Sequence, residues 1–135
     1  MPSVRRKARE LILKALYACE VGQQEPAEVF AGLAADSGLD QKTLKFAEGL
    51  FFAAIDARDE LDERITGLAS NWSLERIAPI DKNIIRLAMT ELTRFPDIPI
   101  RVSINEAIEL AKRYGSGESA AFVNGILDTF ARSLK

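Results

Sequence analysis

At 135 residues, 47% apolar and 28% charged, the chain is long enough for one ordinary domain, or two tightly joined subdomains, with a core that needs no staples. It has no histidine, a single cysteine (Cys19) and no apolar run near the roughly 20 residues of a membrane helix, which removes the commonest general base and metal ligand, any internal disulfide, cysteine-rich zinc sites and a spanning segment. The net charge of −2 is unevenly spread, at +4 over residues 1–14, −8 over 15–75 and +2 over 76–135; general coating of nucleic acid is excluded, but one local phosphate-attracting patch is allowed.

The N-terminus is charged from Arg5 onward and has no leader-like apolar stretch, so a cytoplasmic location is expected. A first helix is predicted from Ser3, its N-cap, to Val21, with Ala8, Leu11, Ile12, Ala15, Leu16 and Cys19 at helical spacing and Gly22 ending it. Arg5, Lys7 and Arg9 lie off this stripe or on its flank and are expected to reach solvent. Pro26 opens a second helix to about Asp36, with Val29, Phe30 and Leu33 inward, and Gly38 breaks it. Asp40 caps a third helix, read as one long element over 40–70 with a bend near Asp56–Asp59. Its acidic run Asp56, Asp59, Glu60, Asp62 and Glu63 is interleaved with Arg58 and Arg64 and reads as a solvated face, not a metal site.

Trp72 is expected as a core wedge, and Ser73–Arg76 as a short turn stopped by Pro79. Asp81 is expected to cap a helix to about Arg94 whose broad apolar face makes it central. Phe95–Pro99 is a rigid link. Ser103 with Glu106 forms a capping box for the next helix, with Ile104, Ala107, Ile108 and Ala111 on its core face. Gly115-Ser-Gly117 breaks the chain before a last helix over Glu118–Leu134, with Val123, Leu127, Phe130 and Leu134 inward. The sum is an all-α chain of six to seven helices with no convincing strand. It reads as a single domain over 1–135, with subdomains roughly 1–70 and 71–135.

The basic turn Arg5-Arg6-Lys7-Ala8-Arg9 sits where the helix dipole disfavours cations by a few tenths of a kcal/mol each; a local rule broken in this way often marks function. Arg and Lys bind phosphate through charge, and Arg also stacks on bases. Gly115-Ser-Gly117-Glu-Ser-Ala120 matches a dinucleotide-binding string, but a helix and not a strand precedes it. It reads instead as a C-cap glycine, a turn and an N-cap at Ser116, with helix amides that can meet a phosphate. Phe122, off the centre of the last helix's stripe, and Glu118 one turn earlier suit base stacking and acceptance of a base N–H. Gly125 suggests close approach of another helix, and Asn105 and Asn124 the satisfaction of buried backbone groups. No catalytic set, metal site or cofactor motif is found. A carboxylate hydrolase would need two carboxylates converging in a cleft.

Three stretches together resemble the NusB family. Arg-Arg-Lys-Ala-Arg-Glu10 with Lys-Ala-Leu-Tyr17 is similar to its opening helix, and Trp72-Ser-Leu-Glu-Arg76 with Ile80–Glu91 to its central segment. Ile98-Pro99, Ile104–Lys112 and Phe122–Asp128 resemble its C-terminal signature, in the right order over nearly the whole chain. The resemblance implies two packed three-helix bundles and a non-enzymatic transcription antitermination factor. Its RNA would be the boxA element of ribosomal RNA operons, and it would pair with NusE, a small-subunit ribosomal protein, in a complex on RNA polymerase. It implies an RNA side formed by Arg5, Arg6, Lys7, Arg9, Glu118 and Phe122, extended to Glu75 and Lys112, and a partner side at Tyr17, Asp81 and Arg86; Lys14, a departure from the family, joins the RNA side by its charge. A homodimer that hides the RNA side is also known in the family. Lys14 stands where Gln is usual, strengthening phosphate attraction, and Thr90 where an aromatic is often found, altering the partner contact. The competing reading is an all-helical protein–protein adaptor without specific RNA binding. A related branch carries a fused RNA methyltransferase domain, for which 135 residues leave no room.

Overall fold

A computed structural model describes residues 4–69 and 73–134. Among these the chain forms seven α-helices and no strand: α1 (Val4–Val21), α2 (Pro26–Ala35), α3 (Gln41–Asp56), α4 (Arg58–Leu68), α5 (Pro79–Arg94), α6 (Ile100–Tyr114) and α7 (Ser119–Ser133), with a short 3₁₀ turn at Leu74–Arg76. The expected cap at Ser3 and wedge at Trp72 lie outside the described residues.

Helix α5 is the axis of the molecule. Every residue from Lys82 to Glu91 is buried, because α1, α3, α4, α6 and α7 all pack against it. Ile84, Ile85, Leu87 and Met89 are at most 1% exposed, and burying each such side chain is worth about 1.5–3 kcal/mol. On one side α1 packs on α2 and α3, and on the other α6 packs on α7. Phe30, Phe51 and Phe52 stack as a cluster under α2, with centroids 4.9–6.0 Å apart.

Four expected boundaries move. The long helix over 40–70 is two: α3 ends at Asp56, Ala57 leaves helical geometry (φ −92°, ψ 4°), and α4 starts at Arg58. Burial of Ala57 holds the corner inside the fold. Pro79 begins α5 and does not stop the turn before it, since its missing N–H costs nothing at the first helical position; Asp81 is therefore inside the first turn and is not the cap. Likewise α6 starts at Ile100, after Pro99. Ser103 is inside it and buried, and its hydroxyl donates to Glu91 (2.9 Å), so no capping box forms. At the last helix the Ser116 amide donates to Ser119 Oγ (2.9 Å), so the expected N-cap at Ser116 is replaced by a turn closed from within α7. A Cβ at Gly115 would collide with the Ser119 side chain and the Ala111 carbonyl, which explains the glycine there. Gly125 has open space where a Cβ would sit, so among the described residues no helix approaches it closely. Asn105 and Asn124 are exposed, not buried beside backbone groups as expected.

Candidate nucleic-acid interface

The charged residues of the first two turns of α1 do not share one environment. Arg5 and Lys7 are exposed, and the Arg5 guanidinium lies 4.3 Å over the Phe46 ring, a contact that steadies it without removing its charge. Arg6 is half-exposed and donates to both oxygens of Glu106 (3.0 and 2.8 Å). Those hydrogen bonds, against the opposing effect of burial, hold the Glu106 carboxyl below the ordinary carboxylate range.

Arg9 departs from expectation. It does not reach solvent: it is 3% exposed, and Nε and Nη2 donate to the two oxygens of Glu91 (2.6 and 2.8 Å), itself 1% exposed. Ser103 completes the carboxylate's shell, and Glu106 stands 3.7 Å from Arg9 Nη1. A guanidinium so enclosed joins α1, α5 and α6 and has no face to present to a phosphate. Lys14, by contrast, is exposed.

Alongside the N-terminal half of α1 runs the end of α6. Arg6, Glu10, Lys112 and Arg113 line one depression of about 180 Å³. Arg113 reaches Glu10 (3.1 Å), and Lys112 reaches Glu109 (3.5 Å) while its side chain stays 62% exposed. The chain then turns through Gly115–Gly117 into α7. Here Glu118, Ser119 and Phe122 line a second pocket of about 190 Å³ with Ser116, Arg76 and Asp81. Phe122 is half-buried and packed on the core, with part of its surface at this pocket. Glu118 is exposed, as is Glu75 on the neighbouring 3₁₀ turn. Sequence reasoning does not single out Arg113 and Arg76. Adjacency to Lys112 is the signal for Arg113, and adjacency to Glu75 within the Trp72–Arg76 stretch is the signal for Arg76.

The residues expected on the partner side also separate. Tyr17 is exposed near the end of α1, on the face of Lys14 and Val21. Asp81 is half-buried, and its Oδ1 is shielded with no hydrogen-bond partner among the described residues. A shielded acceptor of this kind carries a desolvation cost that an incoming donor would relieve. Arg86 is not a surface residue: it is 3% exposed and donates to Asp62 (2.7 and 2.8 Å), Glu20 (2.6 Å) and Asn83 (2.9 Å). Lys82 adds a bridge to Glu20 (2.7 Å). This network ties α1 and α4 to α5, and it draws Asp62 inward from the acidic run expected to be wholly solvated. Burial opposes ionisation of Glu20, yet its bonds from Lys82 and Arg86 outweigh that and lower its pKa. Thr90 is fully buried, its hydroxyl donating to the Arg86 carbonyl (2.8 Å), so it makes no partner contact directly.

Among the described residues no set of three or more Cys, Asp or Glu side chains is arranged to hold a metal ion, and no helix is long and apolar enough to cross a membrane. The family model described as the NusB family matches residues 6–132. Transcription antitermination protein NusB of Heliobacterium modesticaldum is 42% identical over 97% of this chain; the chain spans 64% of that relative's length. It spans 83–96% of the length of seven further relatives of the same description. Among solved structures, NusB of T. maritima superposes with a TM-score of 0.91 at 37% identity, covering 98% of this chain and 93% of that one. A chain from a complex of antitermination factors NusB and NusE with double-stranded RNA has the same fold (TM-score 0.89, 22% identity, 98% and 99% covered). Sequence and fold agree over nearly every residue, and the chain belongs to the NusB family.

Proposed function

We propose that this chain is an RNA-binding transcription antitermination factor that acts by recruitment, without a reaction of its own. It would bind boxA-like RNA of ribosomal RNA operons and pair with NusE to join a complex on RNA polymerase. The observation that carries the reading is a pair of features at the two sides of the α6–α7 turn, the depression at Arg6, Lys112 and Arg113 and the pocket at Glu118 and Phe122. Charge at one side attracts the backbone, and a ring with a neighbouring carboxylate at the other suits an unstacked base. Lys7 and Lys14, exposed on α1, extend the cationic part. The relatives' shared description as antitermination proteins, and the related chain seen with NusE and RNA, support the same assignment.

On the partner side the reading rests on Tyr17 and on the shielded oxygen of Asp81, which would accept a hydrogen bond from NusE. Arg86 and Arg9 support these surfaces from beneath. A partner that holds protein and RNA together tightens the whole through linkage. The deciding experiment is titration of a short boxA-like RNA and a scrambled strand, each with and without NusE, at physiological salt. Preference for boxA, enhanced by NusE, is expected. Equal binding of both strands would leave a protein–protein adaptor in its place.

A further inference from the structure

One further depression belongs to none of these surfaces. It lies between α2 and α3 and has a volume of about 730 Å³. Its floor is apolar, formed by Phe30, Leu44 and Phe52 over the stacked phenylalanine cluster. One wall is a ladder of small side chains on α2, at Ala27, Ala31 and Ala34. Small residues at this spacing leave room for a helix to approach closely, and the remaining apolar floor takes its side chains.

The charge on the rim decides what kind of helix. Residues 15–75 contain only four cations, Lys42, Lys45, Arg58 and Arg64, against twelve acids. Arg58 pairs with Asp62, and Arg64 stacks on Phe130 and donates to Ser133. Lys42 and Lys45 form no ion pair among the described residues, and both stand on the groove's α3 wall, one helical turn apart. Lys42 meets Asp40 only through space, where Asp40 is engaged as the cap of α3. The same end of α3 contributes the positive pole of its dipole. Glu48, the one acid on the wall, follows one turn beyond Lys45. In residues 15–75, the most acidic stretch of the chain, the cations left over are therefore gathered beside the apolar groove.

We propose that the α2–α3 groove is a docking site for an amphipathic protein helix carrying carboxylates along one edge, its apolar ridge over Phe30, Leu44 and Phe52 and its acids beside Lys42 and Lys45. Helix α2 packs on α1 and α3 and not on α6 or α7, so a helix seated there leaves the Phe122 pocket open. The molecule then offers a third surface, which suits an adaptor.

The test uses the intact protein and two labelled helical peptides of about 14 residues, roughly four turns. Both carry leucines at i, i+3, i+4 and i+7; one has glutamates along the flanking edge, the other lysines. Fluorescence anisotropy is expected to show the acidic peptide binding at least about tenfold more tightly. The K42E/K45E variant should reverse that order, and Ala31→Trp, which fills the groove from an exposed position, should abolish both. Circular dichroism and RNA binding of the variants serve as the check on folding. Equal affinity of the two peptides, or acidic-peptide binding unchanged by Ala31→Trp, overturns the proposal. Self-association of the protein that Ala31→Trp abolishes would also overturn it, by assigning the groove to a second copy.

Discussion

Arg9→Ala offers the sharpest test of how this molecule divides its cations between fold and ligand. Arg9 and Glu91 are 3% and 1% exposed and share two hydrogen bonds, with Ser103 donating to the same carboxylate. Removing one partner leaves the other charge buried without compensation, which costs about 3–5 kcal/mol. Against a total stability of about 5–15 kcal/mol for a domain, that is a large share. With a urea dependence of about 2 kcal/mol per molar, the unfolding midpoint should fall by about 1.5–2.5 M. Arg9→Met/Glu91→Met should recover much of the loss, because an apolar pair of similar volume removes both charges together. Equilibrium urea unfolding followed by circular dichroism measures all three proteins, and adding the Arg9→Met and Glu91→Met single variants completes a double-mutant cycle that isolates the pair. A midpoint unchanged in Arg9→Ala, with RNA affinity lowered and its salt dependence flattened, would refute the reasoning and return Arg9 to the surface as a phosphate ligand.

The exposed cations should behave in the opposite way. Lys7→Ala/Lys14→Ala is expected to leave the stability within about 0.5 kcal/mol of the parent. It should also weaken RNA binding across sequences. The slope of log K against log salt should become shallower by about 0.7 for each single-strand phosphate no longer neutralised, read from titrations at several salt concentrations. Phe122→Ala, at a half-buried ring, should cost less than the about 3–5 kcal/mol of a fully buried phenylalanine and chiefly relax the choice between boxA and scrambled RNA. Thermal unfolding alongside RNA competition separates the two effects. Glu20 and Glu106 have folded pKa values below the ordinary 4.5. Their contribution to stability is therefore complete above that value and lost as pH falls through the folded values. Urea midpoints measured from neutral to acidic pH should be level until about 4.5 and then decline, with Glu106→Gln showing a smaller decline. Asp81→Ala, which removes the shielded acceptor, should weaken NusE binding in a pull-down or titration, and an RNA titration of the same variant reads separately any effect through the Phe122 pocket that Asp81 also lines.

The helices are legible because their causes are local. Heptad-like apolar spacing in α1, Pro26 at the head of α2, Asp40 capping α3 through Thr43 (2.8 Å) and Gly38 at φ +72° each act within a few residues. Even the starts of α5 and α6 turn on a local ambiguity, since a proline that suggests a stop also suits a first turn through its missing N–H. The position of α5 at the centre is legible too, since only a helix enclosed on all sides carries so broad an apolar face.

What the sequence alone determined, then, was the helices apart from the break at Ala57 that divides α3 from α4, the gathering of cations at the N-terminus and the family. Tertiary structure decided which of those cations are available. Arg9 and Arg86 look on paper like Lys7 and Lys14, and their fates differ because Glu91 lies 82 residues from Arg9, and Glu20 and Asp62 lie 66 and 24 residues from Arg86. Charge is a property of one residue, whereas desolvation and pairing are properties of what packing brings beside it.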